Sequence, residues 1–150
     1  MISRSVEETM RFAESFGKLL SPGDTVALIG ELGSGKTVFT KGIARGLKVA
    51  SPEYVNSPTF VIIKEHKGAI PLYHMDVYRL EGPRSIETVP YDDYFYGDGV
   101  TVVEWAGKIS ESLPEEHIRI ELSHRGETTR KIIVTALGSR YKKLLRRMKK

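Results

Sequence analysis

Apolar residues recur at helical spacing near the start of the chain and predict a first helix. The spacing runs through five positions: Val6, Met10, Ala13, Gly17 and Leu20. Ser5-Val6-Glu7-Glu8 forms a capping box, in which the first and last side chains bind backbone N–H groups at the helix start. We therefore expect a helix that begins after Ser5 and ends at Ser21-Pro22-Gly23.

A continuous apolar run, Val26-Ala27-Leu28-Ile29, predicts a buried strand from Asp24 to Ile29. Helical spacing returns from Val38 to Leu47, so a second helix is expected there. A glycine-rich stretch, residues 30–37, lies between the two. A strand that leads through such a turn into a helix is typical of α/β folds.

The later pattern predicts two hairpins, a single strand between them and a final helix. The expected strands are 60–63 and 70–78 around a turn at 66–68, then 100–103, then 118–122 and 131–135 around a turn at 124–127. Weak helical spacing over 84–95 is interrupted by Pro90, and 108–112 reads as a short helix or loop. The last helix places five apolar residues on one side: Leu137, Tyr141, Leu144, Leu145 and Met148.

The glycine-rich stretch, Gly30-Glu31-Leu32-Gly33-Ser34-Gly35-Lys36-Thr37, fits the pattern G-x-x-x-x-G-K-[ST] at every fixed position. Glycines let consecutive backbone N–H groups turn inward and form a nest for an anion, and the following helix adds the positive end of its dipole. Lys36 can reach the β- and γ-phosphates of a nucleotide, and the Thr37 hydroxyl can ligate Mg²⁺. The stretch predicts nucleotide binding without identifying the base.

With this motif, the order of elements predicts an α/β fold class. We expect a single P-loop NTPase domain, with a central mixed sheet that has a parallel core and antiparallel hairpins and is flanked by helices. A length of 150 residues, 40% of them hydrophobic, suits one domain with a core. No apolar run is long enough to span a bilayer, and the N-terminus does not read as a signal peptide. The absence of cysteine is compatible with a reducing, cytoplasmic location.

Charge is unevenly distributed along the chain. The formal net charge is +4, but residues 139–150 carry seven basic residues and no acidic one. Residues 1–138 therefore hold 16 basic and 19 acidic residues, a net charge of −3. We divide the chain accordingly into an ATPase domain, 1–138, and a basic C-terminal helix or tail, 139–150. This basic segment is interpreted either as an RNA or acidic-partner contact or as a solvated helix end.

Two carboxylates are candidates for holding or orienting the metal that such a loop requires. Glu104 directly follows the apolar strand 100–103 and precedes the only tryptophan, Trp105. Asp76 lies in the strand 70–78, although a carboxylate bonded to a nearby turn is an alternative there.

Other candidates lie in loops or stand alone. Thr59, in the long loop after the second helix, is the candidate sensor of the γ-phosphate, with an ordinary proline turn as the alternative. Arg79 and Arg130 could stabilise phosphate charge, although a lone arginine more often forms a surface ion pair. His74 could contact nucleotide or a partner, but a lone histidine is more often structural.

Absences narrow the choice of reaction. The chain has no glutamine to orient water as in small GTPases, and its sole asparagine, Asn56, does not stand in a guanine-reading motif. No paired-arginine lid of the kind expected in a small-molecule kinase stands between the second helix and Glu104. Slow ATP hydrolysis is the reaction that remains.

Five segments together resemble the bacterial TsaE (formerly YjeE) ATPases. They are Gly30–Thr37, Ser57-Pro58-Thr59-Phe60, His74-Met75-Asp76-Val77-Tyr78-Arg79, Asp93-Tyr94-Phe95 and Val103-Glu104-Trp105. The resemblance runs from the first helix to about Val134. It implies a role in making N6-threonylcarbamoyladenosine in tRNA, with ATP and Mg²⁺ as cofactors. It also implies binding to a TsaD–TsaB pair that transfers the threonylcarbamoyl group and stimulates the ATPase, with tRNA bound indirectly. Contact of tRNA with the basic tail is a separate hypothesis, which rests on the positive charge of the tail against an acidic body.

The resemblance also implies roles for individual residues. Lys36 and the loop from Glu31 to Gly35 would hold the phosphates, Thr37 and Glu104 would hold Mg²⁺, and Asp76 would be needed for hydrolysis beside the metal. The remaining nucleotide contacts would come from four residues: Val6 near the adenine, Thr59 in a switch-like segment, Trp105 beside the site, and Arg130.

Two features depart from the family pattern, and two other functions stay open. Val89-Pro90 replaces the usual Leu-Gly pair, and the basic tail lies outside the resemblance. The chain could instead be a nucleotide-gated binding module in which hydrolysis is incidental. It could also be a small-molecule phosphotransferase.

Overall fold

The computed structural model describes residues 1–56, 62–80 and 90–149. The strands are β1 (Ile2–Ser3), β2 (Thr25–Ile29), β3 (Ile63–His66), β4 (Leu72–Asp76), β5 (Val100–Glu104), β6 (His117–His124) and β7 (Arg130–Leu137). The α-helices are α1 (Val6–Gly17), α2 (Lys36–Gly46), α3 (Tyr91–Phe95) and α4 (Ser139–Met148), and 3₁₀ turns cover Pro52–Tyr54 and Ala106–Ser112. None of the helices in these ranges is long and apolar enough to cross a membrane.

The strands form one mixed sheet in the order β1-β7-β6-β2-β5-β4-β3. The central strands β6, β2, β5 and β4 are parallel, while β3–β4 and β6–β7 are antiparallel hairpins. The predicted α/β class, with a parallel core and flanking hairpins, is confirmed. Parallel strands are covered on both faces, which is why β2 and β5 read as continuous apolar runs.

Alternate residues of β2 enter two different apolar clusters. Leu28 belongs to the larger cluster, which includes Phe16 of α1 and Phe39 of α2. Ala27 belongs to the smaller cluster, which includes Phe95 of α3. Both faces of the sheet are therefore buried, and the carboxyl ends of the parallel strands are left as the accessible edge for a site.

Close packing of α1 on α2 fixes the direction of the helix that follows the glycine-rich loop. A Cβ atom on Gly42 of α2 would lie 2.4 Å from the Ala13 Cβ and 2.7 Å from the Met10 carbonyl oxygen of α1. The ring of Phe39 meets the edge of Phe12 with the ring centroids 6.0 Å apart. Glycine at position 42 is therefore required by the approach of the two helices.

The C-terminal helix α4 is anchored in the core by its apolar side. The phenol of Tyr141, 2% exposed, accepts a hydrogen bond from the Thr25 backbone N–H at 3.2 Å, and burial raises the Tyr141 pKa to about 12. Arg140 forms an ion pair of 2.7 Å with the buried carboxylate of Asp24. Leu144 joins the larger apolar cluster. The basic residues on the other side of α4 are exposed: Lys142, Lys143, Arg146, Arg147 and Lys149.

Several predicted boundaries were wrong. The first helix ends at Gly17, before Ser21. Leu137 ends β7 instead of starting the last helix, because Gly138 turns the chain with φ 111°. The strand predicted over 70–78 stops at Asp76, whose Oδ1 accepts the Tyr78 N–H at 2.9 Å and bends the chain. Segments 57–61 and 81–89, with Thr59 and Val89, lie outside the described residues.

Candidate functional site

The glycine-rich loop joins the carboxyl end of β2 to the first turn of α2. Gly33 and Gly35 adopt left-handed φ values of 77° and 107°, which side chains other than glycine rarely adopt. A Cβ atom on Gly30 would lie 2.4 Å from the Ser34 Oγ and 2.6 Å from the Leu122 carbonyl oxygen. The first backbone N–H groups of α2 have no acceptor within their own helix and are therefore available to an anion.

Lys36, the first residue of α2, turns back over this loop. Its Nζ donates to the carbonyl oxygens of Gly30 at 2.6 Å and Glu31 at 2.9 Å. The same Nζ lies 4.0 Å from the ring centroid of Trp105, a cation–π arrangement. Burial lowers the pKa of Lys36, while the negative charges of Glu104 and Asp76 oppose that shift. The ammonium group thus lies at the mouth of the loop, next to the place where an anion would enter.

Side-chain oxygen atoms lie near the ammonium group. The Thr37 Oγ1 donates to the Glu104 Oε1 at 2.9 Å, and Glu104 is only 2% exposed at the end of β5. Asp76 is the register partner of Glu104 on β4. Hydroxyl and carboxylate oxygens are the donors that Mg²⁺ prefers, so these residues fit that ion.

Within the described ranges, no group of three or more His, Cys, Asp or Glu side chains could hold a metal ion on its own. Mg²⁺ commonly binds through one or two carboxylates together with substrate phosphates and water. The donors present here therefore suit a metal that arrives with a phosphorylated ligand.

His74 contacts Glu104 from β4, and sequence reasoning missed this role. The imidazole is fully buried, and its Nε2 hydrogen-bonds to the Glu104 Oε2. One signal was present in the sequence, because His74 precedes Asp76 by two residues and so lies on the same face of the strand. The signal did not identify the partner, since that depends on which strand lies alongside.

An open cleft of about 340 Å³ leads to these groups. It is lined by residues of the loop, α2 and the ends of β4 and β5: Leu32, Gly33, Gly35, Lys36, Thr37, Val38, Asp76, Tyr78, Glu104 and Trp105. The rings of Tyr78 and Trp105 pack with centroids 4.8 Å apart on one side. Trp105 has a left-handed φ of 62°, which aims its ring towards Lys36 at the point where β5 ends.

A second, smaller cavity of about 170 Å³ also borders the glycine-rich loop, at Gly33 and Gly35. Its lining includes Val6 at the start of α1, Gly33 of the loop, and Arg130. The guanidinium of Arg130 donates to the Gly33 carbonyl oxygen at 3.2 Å and to three carbonyl oxygens of the β6–β7 turn: Gly126, Glu127 and Thr129. Residues from opposite ends of the chain therefore meet beside the loop.

The remaining candidates differ in exposure. Glu31 and Leu32 are exposed at the tip of the loop, and Ser34 is buried inside it. Arg79 is exposed. Tyr78, which lines the cleft, was not among the candidates that the sequence identified.

Comparison with known proteins bears on this site. The family model described as threonylcarbamoyl adenosine biosynthesis protein TsaE matches residues 3–132. A Bacillus subtilis protein named tRNA threonylcarbamoyladenosine biosynthesis protein TsaE is 49% identical over 139 residues, which cover 92% of this chain and 85% of that protein. A Treponema pallidum protein of the same name is 39% identical over 133 residues, covering 89% and 97% respectively.

A solved structure is also similar. The crystal structure of YdiB from Bacillus subtilis superposes with a TM-score of 0.83 at 41% identity, and the match covers 99% of this chain and 92% of that one.

Proposed function

Because this chain belongs to the TsaE family, whose role is in tRNA threonylcarbamoyladenosine biosynthesis, we propose that it is the Mg²⁺-dependent ATPase of that process. Its partners would be a TsaD–TsaB pair, which carries out the transfer, and its hydrolysis would support repeated rounds. A chain without cysteine suits the reducing cytoplasm, where we place it. The observation that carries the proposal is the meeting of Lys36, Thr37 and Glu104 at the glycine-rich loop.

Five residues of the cleft have proposed roles that their contacts support. Lys36 would exchange the carbonyl oxygens of Gly30 and Glu31 for phosphate oxygens, which are stronger acceptors because they are charged. Thr37 and Glu104 would hold Mg²⁺, which supplies neutralisation of phosphate charge when bound. Trp105 and Tyr78 would exclude water from one side of the cleft.

We assign hydrolysis to Asp76 as well as to the metal-holding residues. Asp76 lines the cleft and lies in register with Glu104, which supports a role for its carboxylate near the terminal phosphate. The adenosine would occupy the cavity between Val6 and Arg130, which opens next to Gly33. Thr59, which lies outside the described residues, is the proposed γ-phosphate sensor.

Nucleotide binding is expected to be selective for ATP over GTP and to depend on Lys36. Trp105 is the only tryptophan and lies 4.0 Å from the Lys36 Nζ, so its fluorescence reports on movement of the ammonium group. We expect a saturable change when Mg²⁺ and a non-hydrolysable ATP analogue are added, and a much weaker response to the GTP analogue. Lys36→Ala should remove the response, and Lys64→Ala, an exposed residue of β3, should retain it. Calorimetry that detected no analogue binding to the wild-type protein would contradict the proposal.

The basic side of α4 is a proposed tRNA contact, because it opposes the negative net charge of residues 1–138. Deleting the helix would remove Tyr141 and Leu144 from the core, so the test uses substitution. Neutralising four exposed residues to Gln (Lys142, Lys143, Arg146 and Arg147) should weaken tRNA binding and reduce the salt slope by about 0.7–0.9 for each phosphate that the helix no longer neutralises. The matched control neutralises Arg11, Lys18, Lys64 and Lys67. If the two variants bound tRNA with equal affinity and equal salt slope, α4 would not be a tRNA contact.

A further inference from the structure

The two oxygens of the Glu104 carboxylate have different surroundings. Oε1 accepts the Thr37 hydroxyl at 2.9 Å and is the oxygen next to the cleft. Oε2 is in buried contacts, with the His74 Nε2 of β4 and, at 3.5 Å, with the Thr40 hydroxyl of α2. The orientation of the Glu104 Oε1 towards the cleft therefore depends on which group holds the Oε2 of the same carboxylate.

Thr40 contributes at most a weak hydrogen bond to this carboxylate. A hydroxyl has one proton to donate, and the Thr40 Oγ1 has a closer acceptor in the Lys36 carbonyl oxygen at 2.9 Å. A contact of 3.5 Å is at the outer limit for a hydrogen bond. His74 is therefore the donor that fixes the Glu104 Oε2.

His74 is itself held in place. It is fully buried in β4, so its ring has few alternative positions, and a carboxylate acceptor requires the proton to be on Nε2. Its Nδ1 is buried with no hydrogen-bond partner among the described residues. An unpaired buried nitrogen destabilises a fold, so packing alone gives no reason for histidine at this position.

We propose that His74 is a positioning residue, which orients the Glu104 carboxylate towards the divalent cation of the nucleotide site. The proposal rests on the proposed function, since it assigns Glu104 to the metal. Residues that hydrogen-bond to a metal ligand, without touching the metal, fix the orientation of that ligand. Their loss typically lowers metal affinity by about 10-fold to 100-fold.

The test compares His74→Gln, whose amide N–H can replace the Nε2 donor, with His74→Leu, which has no donor. Divalent-ion affinity is measured without turnover, by electron paramagnetic resonance of Mn²⁺ in the presence of ADP. We expect His74→Leu to weaken Mn²⁺ binding by about 10-fold to 100-fold and His74→Gln to retain most of it. In steady-state hydrolysis, the KM for Mg²⁺ should rise in His74→Leu more than the kcat falls. His66→Leu, in the neighbouring strand β3, is the matched control for loss of an imidazole from this sheet and should bind Mn²⁺ normally.

Three results would overturn the assignment. Equal Mn²⁺ affinity in wild type, His74→Leu and His74→Gln would show that His74 does not act on the metal ligand. Equal weakening in Leu and Gln variants that keep the wild-type melting temperature would show that the donor is not what matters. If His74→Leu does not fold, weakened Mn²⁺ binding by a folded His74→Gln would also show that the donor is not what matters. Failure of the wild-type protein to bind Mn²⁺ with ADP would instead reject the proposed function, and this inference with it.

Discussion

Glu104→Gln is expected to lose Mg²⁺-dependent ATP hydrolysis by about 10²-fold or more, since a metal ion supplies several kcal/mol of charge stabilisation and each 1.36 kcal/mol is tenfold in rate. The substitution keeps the size of the side chain and its contact with Thr37, but it removes the charge that would hold the cation. Nucleotide binding without Mg²⁺ should change little, because Lys36 and the glycine-rich loop are intact. Phosphate release measured over a Mg²⁺ titration separates these effects.

Two further variants sharpen the same test. Thr37→Ala should show a similar loss, while Thr37→Ser, which retains the hydroxyl, should stay close to wild type. Glu65→Gln removes an exposed carboxylate of strand β3 and is the matched control. Full hydrolysis rates in both Glu104→Gln and Thr37→Ala would show that the metal assignment is wrong.

Gly42→Ala is expected to lower the free energy of unfolding by about 1–3 kcal/mol, the usual cost of overpacking. The added Cβ would lie 2.4 Å from the Ala13 Cβ, far inside van der Waals contact, so α1 and α2 must separate. This cost opposes the gain of up to about 1 kcal/mol that alanine brings to a helix interior. Because α2 begins at Lys36, the displacement should also weaken nucleotide binding.

Urea denaturation of matched glycine variants tests this prediction. Gly107→Ala is the control, since a Cβ atom there would have no neighbour within 4 Å and stability should be unchanged. A Gly42→Ala protein as stable as wild type, or more so, would show that the helices are not in contact at this position.

Local features of the chain predicted the local parts of the site. The sequence 30–37 determines its own conformation, because its glycines permit the left-handed turns at Gly33 and Gly35. The predicted N-cap at Ser5 is present, with the Glu8 N–H donating to the Ser5 Oγ at 3.1 Å. The second bond of the predicted capping box is shifted by one residue, because the Glu8 carboxylate accepts the Arg4 N–H at 2.6 Å instead of the Ser5 N–H. Apolar periodicity likewise predicted the class of fold, since it reports directly which faces are buried.

Long-range contacts were harder to predict. Glu104 meets Thr37 across 67 residues and His74 across 30, and both contacts depend on the order of strands in the sheet. Periodicity identifies strands but not their neighbours, so Glu104 and Asp76 could be proposed from their positions at strand ends, whereas the role of His74 could not. The bend after Asp76 was also missed as the end of β4, because it arises from a side-chain hydrogen bond to the Tyr78 N–H.

The charge of the last twelve residues suggested a tail, while their apolar residues decide how they pack. Tyr141 and Leu144 bring α4 into the core, and Arg140 compensates the buried Asp24. Net charge carries information about partners and little about the fold. The two properties coexist here because they occupy opposite sides of one helix.

Our central proposal is that ATP hydrolysis at this cleft is coupled to the TsaD–TsaB pair that modifies tRNA. The direct measurement is phosphate release from Mg²⁺–ATP by the wild-type chain alone and with the TsaD–TsaB pair and tRNA, with Glu104→Gln under the same conditions. We expect slow release by the chain alone, clear stimulation by the pair, and no stimulated release by Glu104→Gln. An unchanged rate on addition of the pair, or equal stimulated release by Glu104→Gln, would contradict coupling of hydrolysis at this cleft to the pair.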